Sequence, residues 1–103
     1  MTKPVQWLHD ALDDLRRQLR HIARDDPDAA YRVVDQLEAA ASQLGEHPTG
    51  RPGRVPGTYE KSVPRLPYII SYALATIEGR DIVTILRVVH TAQDWPKGGW
   101  PIR

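Results

Sequence analysis

The apolar positions of the N-terminal half recur every three or four residues. In "WLHDALDDLRRQLRHIARDD", Leu8, Leu12, Leu15, Leu19, Ile22 and Ala23 fall on one line of a 3.6-residue repeat, and Asp13, Asp14, Arg16 and Arg17 lie off it. This spacing predicts an amphipathic helix with those four charges on its solvated face. The pattern restarts in "DDPDAAYRVVDQLEAAASQLG", where Ala30, Val33, Val34, Leu37, Ala41 and Leu44 form a second stripe. Asp26 is suited to cap that helix, and Pro27 to its first position, where a missing N–H costs nothing. Gly45 is the expected stop. So short a connection predicts an antiparallel pair of helices.

The period then changes. "EHPTGRPGRVPG" (46–57) holds three prolines and three glycines in twelve residues, a density that predicts a crossing loop. "TYEKSV" (58–63), "RLPYIISYALA" (65–75) and the β-branched "DIVTILRVVH" (81–90) read as strands, the last two joined by a hairpin through "IEGRD" (77–81). At the front, "PVQW" (4–7) reads as a short edge strand with Pro4 tolerated at its start. The expectation is one α+β domain. It has a short N-terminal strand, an antiparallel two-helix hairpin over about 8–45, a three-stranded antiparallel sheet portion over about 54–90 and a loop-like tail over 91–103.

Composition narrows the classes. The 103 residues are 41% hydrophobic, enough for one modest core, and contain no apolar run long enough to span a bilayer. "MTKPVQWLHDALDD" turns acidic where a signal peptide would be apolar, so a cytoplasmic location is expected and no membrane partner. The absence of cysteine excludes disulfides and thiolate chemistry. His9, His21 and His47 are scattered, and their spacing with carboxylates suggests no metal site; no cofactor is expected. The net charge of +1 is unevenly spread. Residues 1–48 carry six Lys/Arg and nine Asp/Glu, whereas residues 49–103 carry eight and four, which makes the second half the anion-facing candidate.

The order and spacing of several short motifs are more specific. They are Trp7, Ala11 and Asp14-Leu15; Pro48, Gly50-Arg51, Gly53-Arg54-Val55 and Gly57-Thr58; Tyr68-Ile69-Ile70 and Tyr72; and Ile85-Leu86-Arg87-Val88, His90, Gln93 and Trp95-Pro96. Over roughly residues 5–96 this series resembles the RelE/ParE superfamily of type II toxin–antitoxin toxins. The resemblance implies a compact growth inhibitor held inactive in a hetero-oligomer with a cognate antitoxin. It implies one of two targets: RelE-like members cut mRNA at the ribosome, whereas ParE-like members act on DNA gyrase and are not nucleases. Relatives often carry Arg-Glu after the Gly-Thr and Tyr-Arg-Val on the next strand; here the residues are Tyr59-Glu60 and Tyr72-Ala73-Leu74. Two arginines that would neutralise a phosphate are thus absent, which favours the ParE-like reading.

A metal-independent nuclease would need a base, cations around the phosphate and an acid for the leaving 5′ oxygen. His90 is the candidate acid and Glu60, or a tyrosine, the candidate base, with Arg87 on the phosphate; Arg51, Arg54, Lys61 and Arg65 are candidate nucleic-acid or target contacts. The structural alternatives are a strand-end cap for His90 and an ion pair to Glu60 or Glu78 for Arg87. In an ideal strand Arg87 and His90 point to opposite faces, so only a bulge or an early strand end would bring them together. "GRPGRVPG" is no phosphate-cradling loop, because its prolines remove N–H donors and the Lys-Ser/Thr ending is missing. Tyr68 and Tyr72 share a strand face and, with Trp95, are the candidate antitoxin contacts, offering a surface for an added strand or a docked helix.

Overall fold

The computed structural model describes residues 2–92, and the chain runs β1 (Val5–Trp7), α1 (His9–Ala23), α2 (Pro27–Glu46), β2 (Arg51–Pro52), β3 (Tyr59–Ser62), β4 (Tyr68–Ile77) and β5 (Arg80–His90). The strands form one sheet in the order β1-β5-β4-β3-β2, with β1 parallel to β5 and every other pair antiparallel. Both helices lie on one face. Their Ala11, Leu37, Ala41 and Leu44 pack against Ile70, Tyr72, Val83, Ile85 and Val88 of the sheet. Trp95 lies outside the described residues.

Local chemistry explains most boundaries. The Asp26 carboxylate accepts the Ala29 N–H at 3.1 Å, and Pro27 opens α2. β4 and β5 are joined by Glu78 and Gly79, both with positive φ (52° and 78°), as a tight turn matched to the twist of the strands requires.

Three expectations are corrected. The sheet has five strands, because a two-residue strand forms inside the Pro/Gly-rich loop and pairs Arg51 with Glu60 and Pro52 with Tyr59. Pro52 is tolerated there because β2 is the outermost strand. Gly45 does not stop α2, which continues to Glu46. Instead the N-terminal segment crosses directly over it. The Lys3 N–H donates to the Gly45 carbonyl at 2.7 Å, and a Cβ at Gly45 would lie 2.6 Å from the Lys3 oxygen and 2.9 Å from Val5 Cγ2. The third correction concerns α1. Its buried residues are Ala11, Asp14 and Gln18, so the helix presents Asp14 to the sheet and leaves Leu12, Leu15 and Leu19 half-buried.

β5 carries a bulge. Tyr72 pairs with Ile85 and Ser71 with Arg87, which leaves Leu86 unmatched. The extra residue resets the alternation, so Ile85 and Val88 both enter the core although they are three apart.

Candidate functional site

β1 ends its pairing at Trp7–Ile85, and the Leu8 N–H closes the ladder on the Ile85 carbonyl at 3.0 Å. Beyond that point the outer edge of β5 is covered by α1 instead. Asp14 accepts the Val88 N–H at 3.0 Å and receives a two-pronged contact from Arg87, with Nε at 2.7 Å and Nη2 at 2.9 Å. Arg17 approaches the same carboxylate at 3.5 Å. The carboxylate is thus buried yet surrounded by donors, which is the condition for keeping a charge out of water. Arg87 therefore pairs with Asp14, and neither Glu60 nor Glu78 is its partner.

Glu60 is the second buried carboxylate. It accepts the Arg54 N–H at 3.0 Å and a longer contact from Arg51 at 3.4 Å, which ties the 51–58 loop onto β3. Strand register places Arg51, Glu60, Ser71 and Arg87 in one row across four strands, on the face away from the helices. Ser71 Oγ is buried in that row without a hydrogen-bond partner among the described residues.

His90 is on the other face. It pairs across the sheet with Tyr68, and its ring meets the tyrosine edge-on at 5.3 Å. Its Nδ1 accepts the Ala92 N–H at 3.1 Å, so the neutral ring carries its proton on Nε2. The bulge precedes Arg87 and leaves Arg87 and His90 on opposite faces. The three residues of the candidate nuclease set are therefore not gathered: Glu60 and Arg87 share a row, and His90 lies across the sheet from them.

Tyr68 and Tyr72 do share a face, but it is the buried one. The Tyr68 hydroxyl donates to Gln18 Oε1 at 3.2 Å, and the Tyr72 hydroxyl donates to the Thr49 carbonyl. Both side chains are core, which corrects their reading as antitoxin contacts. Tyr72 also stacks on half-exposed Tyr59 at 5.5 Å, and burial, then the neighbouring Tyr59, raises its phenol above the ordinary value of 10.0. The remaining cations are spread out. Arg51, Arg54 and Arg65 are exposed, Arg65 in the β3–β4 turn with a positive φ of 66°. Lys61 is half-buried beside the end of α2, in a pocket with Gln43 and His47.

Arg87 opens on a polar cleft of about 470 Å³ lined by Asp10, Asp13, Asp14, Arg17, Arg20 and Arg87. Three aspartates balance three arginines, so its lining has no excess positive charge to hold a phosphodiester. Among the described residues no cluster of His, Cys, Asp or Glu could hold a metal ion, and no helix is long and apolar enough to cross a membrane.

With this arrangement in view, comparison with known proteins identifies the family. A model of the ParE toxin of the type II toxin–antitoxin system parDE matches residues 5–95. The chain belongs to the ParE toxin family. Y4kP of Sinorhizobium fredii, named as a candidate toxin, is 43% identical over 96 residues, spanning 92% of this chain and 95% of that protein. A chain of the RelBE2 toxin–antitoxin complex of Mycobacterium tuberculosis superposes with a TM-score of 0.57 at 26% identity, over 87% of this chain and 99% of that one. A chain of the chromosomal ParDE system of P. aeruginosa shares the fold with a TM-score of 0.73 at 23% identity, over 84% and 94%. This ParE-family chain is thus a toxin of a type II toxin–antitoxin system, and its α+β fold is that of its solved relatives.

Proposed function

We propose that this toxin arrests growth by binding DNA gyrase, without catalysis of its own, and that a cognate antitoxin silences it in a hetero-oligomer. The observation that carries this reading is the engagement of Arg87. Its guanidinium is pinned by two bonds to buried Asp14, so it serves the fold and is not poised to receive a phosphate. Glu60 supports the same conclusion, because a buried carboxylate committed to the Arg54 N–H is poorly placed to take a proton from a 2′-OH.

A second reading, a ribosome-dependent mRNA endonuclease, is favoured by one feature: half-buried His90 stands at a strand end, where an imidazolium would serve as the acid for a leaving 5′ oxygen. The two readings separate in one experiment. Purified antitoxin-free toxin is added to a gyrase supercoiling reaction and, in parallel, to a translating extract whose transcript ends are mapped. Loss of supercoiling with intact messages is the expected result. New ends on translated messages only, with supercoiling unaffected, would overturn it in favour of the nuclease.

A further inference from the structure

Strand β4 runs past the strand that pairs with it. β3 covers β4 from Ile69 to Tyr72, where Tyr59 starts the ladder, so Ala73–Ile77 have no strand on that side among the described residues. The chain turns away there: the Gly53 N–H bonds the Thr58 carbonyl, and a Cβ at Gly57 would meet nothing within 4 Å. Alternation fixes which groups are left open. Tyr68 accepts the Val63 N–H on the β3 side, and Pro67, just before it, accepts the Thr91 N–H on the β5 side. Even-numbered residues of β4 therefore turn their backbone towards β3 and odd-numbered ones towards β5. The N–H and C=O of Leu74 and Thr76 point outward, while Ala73 and Ala75 bond to β5.

Natural sheets guard such an edge with lysine, proline, a bulge or an inward charge. The stretch "ALATI" has none of these. It is also flanked by apolar surface. Among the described residues five large apolar side chains are exposed, and three of them, Tyr59, Leu74 and Ile77, border this edge at 36%, 43% and 50%. Register puts Tyr59 and Leu74 on the helix side of the sheet and Ile77 on the other, so an added strand would find apolar contacts on both its faces.

We propose, on the reading that an antitoxin silences this toxin, that the edge receives an extended, apolar segment of the antitoxin, which pairs with Leu74 and Thr76 as a further strand of the sheet. Extent decides against a second copy. Two edges paired about a two-fold axis would share Ala73–Ile77 on each side, against the roughly 20–30 residues a side of a stable interface. The few backbone bonds of so short an edge suit one strand of a partner that grips the toxin elsewhere as well. A chain stored in complex with that partner also needs no guards along an edge the partner covers.

Amide hydrogen exchange followed by NMR, on the full-length toxin with and without its co-expressed cognate antitoxin, tests it. In the free toxin the Leu74 and Thr76 amides should exchange at least about a hundredfold faster than those of Ala73 and Ala75, and in the complex all four should be protected. Thr76→Pro removes an outward N–H without costing the β4–β5 ladder a bond, and should weaken antitoxin binding at least about tenfold by calorimetry. Leu74→Lys, which guards the edge and keeps its backbone groups, should weaken it as well. Circular dichroism reports the folding of each variant. Leu74 and Thr76 amides that stay unprotected in a formed complex would overturn the proposal and leave the antitoxin reading intact, whereas a toxin that binds no antitoxin would end both. Protection already present in concentrated free toxin, and lost on dilution, would give the edge to a second copy instead. A Leu74→Lys chain that binds antitoxin as the wild type does but no longer arrests growth would give it to the target.

Discussion

Asp14 and Glu60 are both buried carboxylates, and each is held by a backbone N–H and an arginine, but the two arrangements differ in what they join. Asp14 binds Arg87 and Val88, more than seventy positions away, through bonds of 2.7, 2.9 and 3.0 Å, and the arginine itself is only 21% exposed. Glu60 binds Arg54 and Arg51, within nine positions, and its arginine contact is 3.4 Å long to a side chain 65% exposed. The first locks a helix to the bulged edge of the central hairpin. The second holds down a loop. The same pair of groups is thus a determinant of the fold in one place and a local fastening in the other, and distance along the chain together with solvent exposure makes the difference.

The larger loss is expected at Arg87. Arg87→Ala leaves the Asp14 carboxylate buried with only Val88 and a distant Arg17, and should cost about 3 kcal/mol or more. For a domain of this size that is a fall in Tm of roughly 12 °C or more by calorimetry. Glu60→Ala should cost less, about 1–2 kcal/mol in urea titration, because the Arg54 N–H it orphans lies in a loop that water can reach. Protease cleavage within 51–58 should rise in that variant, whereas the α1–β5 seam should be undisturbed. Arg51→Ala should cost at most a few tenths of a kcal/mol, as expected of an exposed partner at long range. Ser71→Ala, in the row between the two sites, should be neutral or slightly stabilising, since its hydroxyl is buried without a partner among the described residues.

A pH titration adds a contrast in kind. The raised phenol of Tyr72 keeps its proton in the folded state after an unfolded tyrosine has lost it. Its contribution is complete below pH 10 and declines as the pH rises through the folded value, so alkaline unfolding should begin later in Tyr72→Phe.

Which parts of this were legible follows from the range of the interactions. The helical stripes, the Asp26–Pro27 start and the Glu78-Gly79 turn are local, and the residues themselves announce them. Asp14 is not legible, because its burial depends on Arg87 and Val88, and a charge in "LDDLRR" looks like any solvated charge. The bulge hides for a different reason. "IVTILRVV" is apolar almost throughout, so it has no alternation from which a slip of one residue would show. The spacing of Tyr68 and Tyr72 puts them on one face, but in a strand apolar on both sides nothing indicates which face the helices cover. Gly45 carries two readings, a helix stop and a close approach, and only the path of the N-terminal strand over it decides between them. At the candidate site, residue types alone suggest an acid, a base and a phosphate-binding arginine; the register separates them.

If growth arrest runs through gyrase, toxicity does not pass through His90. Cells expressing His90→Gln without antitoxin should stop growing as wild-type cells do, and the purified variant should inhibit gyrase supercoiling to the same extent. A folded, antitoxin-binding His90→Gln chain that is harmless, beside a wild type that generates new ends on translated messages, would contradict the account and return His90 to the mechanism as its acid.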